Sequence, residues 1–175
     1  GKGIDLDEKP RELEVNSGVI VLATGYDPYE PHYGEYGFGV FPGVITLQQL
    51  TRMLDEEGPT GGRVAVDGRP IQSVAFIHCA GARQYPGTHP ARADGGVNEY
   101  CARTCCTAAL HAASKLKEQD PELQIYDVYQ DIRTYGRGHE DYYENASKNG
   151  VVFIQMDGRE MPRVLHDPKD HSRLM

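Results

Sequence analysis

Hydrophobic residues along the chain fall into short bursts separated by polar and glycine-rich stretches, and the period of each burst predicts an element. Residues 1–17 are polar and charged, with at most a weak strand around Glu12 to Val15. Val19 to Ala23 is a continuous apolar run stopped at Gly25. That pattern predicts a buried strand covered on both faces. Residues 26–45 mix glycine, proline and tyrosine and read as an irregular loop rich in turns. Leu47, Leu50, Met53 and Leu54 recur at helical spacing, and Thr46 with Gln49 three residues on matches a capping box. This helix is expected to stop near Gly58-Pro59. Residues 63–73 read as a hairpin turning at Asp67-Gly68.

The second half has a regular rhythm. Val74 to His78 predicts a strand, and about Cys101 to Glu118 a helix with Leu110, Ala113 and Leu116 on one face. Residues 123–130 predict a strand, His139 to Asn149 a helix ended by Gly150, and residues 151–155 a further strand. Strand, helix, strand, helix, strand is the order of a parallel α/β sheet, here a Rossmann-like three-layer domain. Right-handed crossovers place both helices on one face of the sheet. The tail from Asp157 onward is polar and is expected to fray.

Length and charge narrow the function. One hundred and seventy-five residues suit a single domain with an extra arm. A net charge of −8 argues against a nucleic-acid surface and against an anionic membrane. No apolar run approaches the roughly 20 residues of a membrane span. The chain begins at Gly1 rather than Met, without a leader of charged then apolar residues, and reads as processed, as excised for expression, or as a piece of a longer protein.

The cysteines change the picture most. All four lie between Cys79 and Cys106, with Cys101 and Cys105 between them. Local clustering suits a metal or redox site in a reducing compartment better than a disulfide scaffold. Cys79 falls at the carboxyl end of a predicted strand, and the other three at the start of the following helix, the edge at which open α/β sheets bind ligands. Cys101 and Cys105 share a helix face, while Cys106 lies about 100° further round. All three reach one centre only if the first turn is irregular or the centre sits at the helix end. A helix N-terminus also favours thiolates. Four thiolates suit zinc or an iron–sulfur cluster, and the adjacent Cys105-Cys106 pair fits the larger cluster better than a zinc knuckle. A dithiol pair such as Cys101 with Cys105, a structural zinc site and four buried small residues remain as alternatives. His78 is a candidate ligand or a hydrogen-bonding neighbour, and Arg83 and Arg103 flank the thiols as candidates to offset their charge. His111 is expected to face solvent, and the tyrosines to serve packing. No nucleotide-binding glycine fingerprint is present in this turn, so a nicotinamide cofactor is not expected there.

The stretch from Val19 to Pro28, with Ala23-Thr24-Gly25, is similar to the strand that returns against the FAD in two-dinucleotide-domain flavoproteins. Followed by residues 76–83 (FIHCAGAR), 98–106 (NEYCARTCC), 126–143 (YDVYQDIRTYGRGHEDYY) and 150–154 (GVVFI), the sequence resembles the A-type, FAD/iron–sulfur subunit of heterodisulfide reductase over roughly residues 15–156. The resemblance implies a thioredoxin-reductase-like flavoprotein whose pyridine-nucleotide domain holds a [4Fe–4S] cluster. It implies Cys79, Cys101, Cys105 and Cys106 as ligands and Ala23, Thr24 and Gly25 as part of an FAD site mostly supplied from elsewhere. It divides the chain into a partial flavin-domain strand and loop at 1–45, a Rossmann-like cluster-bearing domain at 46–156 and a polar tail at 157–175. The implied activity is electron relay between cluster and FAD, within flavin-based electron bifurcation. The segment would hold no catalytic residue of its own. The implied partners are the other subunits of a soluble cytoplasmic complex, with a ferredoxin, hydrogenase or dehydrogenase.

Overall fold

A computed structural model describes residues 7–170 and 173–175. The first six residues of the polar opening stretch, and residues 171–172 of the tail, lie outside the described residues. Helix α1 spans Leu47–Leu54 and forms where the capping box predicts it. The Thr46 hydroxyl accepts the Gln49 N–H at 3.2 Å, and the Gln49 side-chain oxygen accepts the Thr46 N–H at 2.8 Å. The helix ends at Leu54, earlier than the Gly58-Pro59 signal, because Asp55 is already extended (ψ 131°). Gly58 is nonetheless required, since a Cβ there would collide with the Arg52 carbonyl oxygen as the chain folds back. Strands β1 (Ala65–Val66) and β2 (Arg69–Pro70) form the expected antiparallel hairpin. Its turn places Asp67 and Gly68 at φ 50° and 74°, the left-handed pair that such hairpins require.

The main sheet has three parallel strands in sequence order: β3 (Ser73–Ile77), β4 (Gln124–Tyr129) and β5 (Val152–Gln155). The crossovers are α2 (Cys105–Gln119) and α3 (His139–Lys148), which pack against each other, while α1 packs on α2. The α/β class and the parallel sheet are as the rhythm of the sequence predicts. Register explains the core. Phe76 pairs with Asp127 and Asp127 with Phe153, so these three side chains share a face, as do Val74 and Ile125. Leu110, Ala113 and Leu116 of α2 join the apolar core together with Ala146 and Val151. Burial of a side chain such as Leu110 or Ile125 contributes roughly 1.5–3 kcal/mol.

Three expectations are corrected. Val19 to Ala23 forms no strand: it pairs with neither sheet, and Val19, Ile20, Val21 and Leu22 are 78–85 % exposed. A buried strand needs a neighbour on each side and apolar cover on each face, and no described residue supplies either. The weak strand around Glu12 to Val15 is likewise absent. The polar tail does not fray. It turns back on itself through an antiparallel bridge between His166 and Leu174, with Leu165 and Met175 exchanging backbone hydrogen bonds at 2.9 and 2.8 Å. The His166 ring packs edge-on against Phe41 at 4.7 Å, and Arg173 donates to the Gln72 side-chain oxygen at 2.7 Å.

Candidate metal centre

The four cysteines are free thiols gathered at the carboxyl edge of the main sheet. Cys79 lies two residues past the end of β3, in a left-handed conformation (φ 62°). Cys105 and Cys106 open α2. Cys101 is not on the helix. It sits in the preceding turn, because Arg103 is left-handed (φ 64°) and interrupts helical geometry before Cys105. The Arg103 N–H donates to the Cys101 sulfur at 3.3 Å. The sulfurs of Cys105 and Cys106 lie within 4.8 Å of each other and of a His78 ring nitrogen, a group that includes neither Cys101 nor Cys79. Thr104, at the N-cap, makes no side-chain hydrogen bond to the first turn of α2. Free N–H groups and the positive end of the helix dipole thus lie beside Cys105 and Cys106.

Each thiol feels its neighbours. Burial raises the Cys79 thiol above its ordinary range, against the pull of the Arg83 guanidinium, and Cys106 and Cys101 raise it further. The hydrogen bond with Cys106 lowers Cys105, and the same bond together with burial pushes Cys106 up to about 12. Within the adjacent pair the proton is thus favoured on Cys106 over Cys105. The Cys106 sulfur also lies 3.8 Å from the Asp131 carbonyl oxygen, to which its S–H donates.

Positive charge comes from two sides. Arg83, itself left-handed (φ 50°), ion-pairs with Asp131 at 2.7 Å and interacts with Cys79 and Cys101. His78, one residue past β3, is buried. Its Nε2 hydrogen-bonds Asp127 at 2.9 Å, and its backbone N–H donates to the Val128 carbonyl at 2.9 Å. Burial works against the charged ring, yet Asp127 and Cys106 outweigh it and hold the imidazole at about 9. A ring nitrogen of His78 and the sulfurs of Cys105 and Cys106 all lie within 4.8 Å of one another, a spacing that one metal ion spans.

A strap from the expected irregular loop covers the site. The Tyr29 ring lies where a Cβ on Gly81 would sit, and Gly81 is left-handed (φ 72°), so only glycine fits. Tyr29 donates its hydroxyl to Glu35 at 2.7 Å, and the same carboxylate oxygen accepts the His32 N–H at 2.9 Å. Tyr36 approaches Cys79, and burial with the adjacent Glu35 raises its phenol to about 12.

The donor set fits a metal or cluster. Five buried side-chain atoms among the described residues lack a hydrogen-bond partner: Glu35 Oε1, His78 Nδ1, Arg83 Nη1, Gln84 Nε2 and Asp127 Oδ1. Of these, His78 and Arg83 interact with the thiols, and Asp127 with His78. Buried polar atoms are ordinarily satisfied, and the three nitrogens are suited to facing thiolate or sulfide acceptors.

The sequence flagged His78 and Arg83 correctly as neighbours of the thiols. It did not flag Asp127 or Glu35. Asp127 had a legible signal, an acidic residue at an inward position of β4 two residues from Ile125. Glu35 had none, because its role depends on how the loop folds back. Arg103 contributes through its backbone, by the N–H that reaches Cys101. His111 is exposed as expected, with its ring edge-on to Tyr142 at 5.8 Å. Ala23 and Thr24 are exposed, and Gly25 is left-handed (φ 72°).

A parallel α/β domain with its four thiols near the carboxyl edge of the sheet defines a protein with a candidate thiolate metal centre. No protein-family profile matches the chain. Individual proteins do. The chain is 44% identical over 158 residues to the A-type subunit of the ferredoxin/F420H2-dependent CoB–CoM heterodisulfide reductase of Methanosarcina acetivorans, covering 88% of this chain and 19% of that protein. It is 38% identical over 176 residues to an A-type CoB–CoM heterodisulfide reductase iron–sulfur subunit of Methanopyrus kandleri, and 40% identical over 177 residues to the corresponding protein of Methanocaldococcus jannaschii. Those two alignments each cover 98% of this chain and 25% of the relative. The chain is similar to the A-type subunits of heterodisulfide reductase, and it spans about a fifth to a quarter of the length of these relatives.

Proposed function

We propose that the chain is an electron-transfer segment of a heterodisulfide-reductase-like flavoprotein, holding a [4Fe–4S] cluster through Cys79, Cys101, Cys105 and Cys106. The observation that carries this reading is four free thiols that interact with one another near one sheet edge, with the unpartnered His78 Nδ1 and Arg83 Nη1 on residues beside them. A bound cluster of this type supplies reversible one-electron transfer. The residues of the chain position it and set its surroundings. The start of α2 and Arg83 offset the negative charge of four thiolates. Tyr29 packed on Gly81 closes the loop over Cys79.

The same reading assigns Ala23, Thr24 and Gly25 to the edge of an FAD site completed by other parts of the flavoprotein. The exposure of Val19 to Leu22 supports this, since such an apolar run is stable only when covered. The proposed partners are further subunits of a soluble cytoplasmic complex and a ferredoxin, hydrogenase or dehydrogenase that exchanges electrons with it. The names of the relatives include ferredoxin-dependent forms. No helix among the described residues is long and apolar enough to cross a membrane. A structural zinc site is the second reading, favoured by the mixed donor set of His78, Cys105 and Cys106.

Anaerobic preparation, with analysis of iron, zinc and acid-labile sulfide and a visible spectrum before and after dithionite, separates the two. About four irons and four sulfides bound at this site, with a brown absorbance that bleaches on reduction, is the expected result. One zinc without colour would replace the electron-transfer reading with the structural one. Four free thiols that fail anaerobic reconstitution would leave a dithiol site.

A further inference from the structure

We infer that the second face of the main sheet is a docking surface, and that its occupant is an apolar segment of the same polypeptide from outside this chain. The inference rests on the reading of the chain as one segment of a longer flavoprotein, and it adds a third layer to the two that this chain builds.

Strand register separates the two faces. Phe76, Asp127 and Phe153 form one row, and Val74 with Ile125 another, on the side that packs with α2 in the apolar core. The alternate residues form two rows on the opposite side: Ala75, Tyr126 and Val152, then Ile77, Val128 and Ile154. None of these six belongs to the apolar core of the described residues or packs against it. Ala75 is exposed, Val152 and Ile154 are 48% and 44% exposed, and Tyr126 and Val128 are only half-buried although β4 is the central strand. All six are apolar or aromatic, on a chain of net charge −8. The Tyr126 hydroxyl donates to the Gln124 side-chain oxygen at 3.1 Å, so the one polar side-chain atom in these rows is already paired.

Parallel sheets are found with both faces covered. The described parts of this chain leave the second face open. The folded tail anchors on Phe41 and Gln72, and Ala75, Val152 and Ile154 stay exposed with it in place. Area selects the occupant. Strands of five, six and four residues, spaced about 4.8 Å apart, present roughly 200–300 Å². A stable interface between separate proteins buries roughly 800 Å² on each partner, about three times as much. A second copy or a separate subunit seated on this face alone falls short of that. A segment tethered in the same polypeptide does not, because its effective concentration at the face replaces the missing area. The relatives have the length for it, since this chain spans 19% to 25% of each. The occupant presents an uncharged side, because a charge buried against these rows would have no partner. The thiols lie near the carboxyl edge of the same strands, so this cover also fixes how that edge stands against the rest of the polypeptide.

The test uses the intact, anaerobically prepared flavoprotein that carries this chain, with a photo-crosslinking side chain placed on the face by Ile154→p-benzoylphenylalanine or Val152→p-benzoylphenylalanine. Irradiation is expected to join either position to a peptide of the same polypeptide outside these 175 residues, in a product with the mass of one polypeptide. Carbene footprinting of the wild-type protein needs no variant and stands even if neither variant folds. Labelling at Val152 and Ile154 is expected about tenfold below that of the urea-unfolded protein, as for buried side chains. Labelling at about half the unfolded level, matching the exposure of these residues in the chain alone, would overturn the inference. So would crosslinks between two copies, to another subunit or within this chain, or no crosslink at either position. Iron, sulfide and flavin contents of the wild-type preparation read the function separately. A crosslink within the polypeptide but without a cluster leaves the docking surface and overturns the cluster. A full cluster beside an open face does the reverse.

Discussion

Cys79, Arg83 and Arg103 are left-handed at φ 62°, 50° and 64°, and with Tyr36 and Asp67 they are the non-glycine residues in that region among the described residues. Each such residue costs on the order of 1 kcal/mol, and strain of this kind persists where surrounding contacts impose it. Here it shapes the loop after β3 that carries Cys79 and keeps Cys101 outside α2. Glycine does the same without cost at Gly81, and the Tyr29 ring occupies the space a side chain would need. Gly81→Ala is therefore expected to destabilise the chain by about 1–3 kcal/mol in denaturant unfolding. It is also expected to lower metal retention, because Tyr29 must leave its place over the loop. A variant with unchanged midpoint and unchanged metal content would show that the strap does not matter. The thiols themselves were legible as a candidate site from their clustering alone. Their conformations were not, because φ at a non-glycine residue is imposed by contacts that sequence spacing does not display.

Among the helices and strands, local signals predicted what local chemistry decides. The capping box at Thr46 and the Asp67-Gly68 turn each complete their hydrogen bonds or dihedrals within four residues, and both are present as read. Thr46→Ala removes the hydroxyl that accepts the Gln49 N–H. Its expected cost is about 1 kcal/mol, measured as a lowered unfolding midpoint at unchanged m-value. A cost below a few tenths of a kcal/mol would mean that α1 is held by its packing on α2 alone. Boundaries shifted where a nonlocal contact competes with pattern. The helix expected from Cys101 begins at Cys105 because Arg103 is left-handed (φ 64°) and interrupts helical geometry ahead of it. The strand expected at Val19 to Ala23 fails for the opposite reason. Its composition is right, but a parallel strand requires neighbours, and composition cannot supply them.

Across the molecule as a whole, two regions differ in stability. Residues 73–155 share the parallel sheet, α2, α3 and most of the apolar core. Residues 7–25 have no regular structure and are exposed. Local opening is easiest where burial and hydrogen bonding are least. Limited trypsin digestion of this chain is thus expected to cut at Arg11 well before any site within β3 to β5, leaving a resistant body. First cuts at Lys115, Lys117 or Lys148 would show that the sheet and its helices are not the stable unit. The folded tail belongs with the resistant body, through Phe41 against His166 and Arg173 against Gln72. Its polar composition concealed this, since a few apolar and hydrogen-bonding anchors are enough to dock a short segment.

The order of strands and helices, the parallel sheet and the edge at which the thiols gather could all be read from the residues in line. Hydrophobic period and residue spacing are local properties, and the crossover rule converts them directly into topology. Which groups meet the thiols is a matter of three-dimensional folding. Asp127 reaches His78 across 49 residues, Asp131 reaches Arg83 across 48, and Tyr29 reaches Gly81 across 52. Such contacts depend on strand register and on the path of loops through space, and no single segment of the chain carries that information.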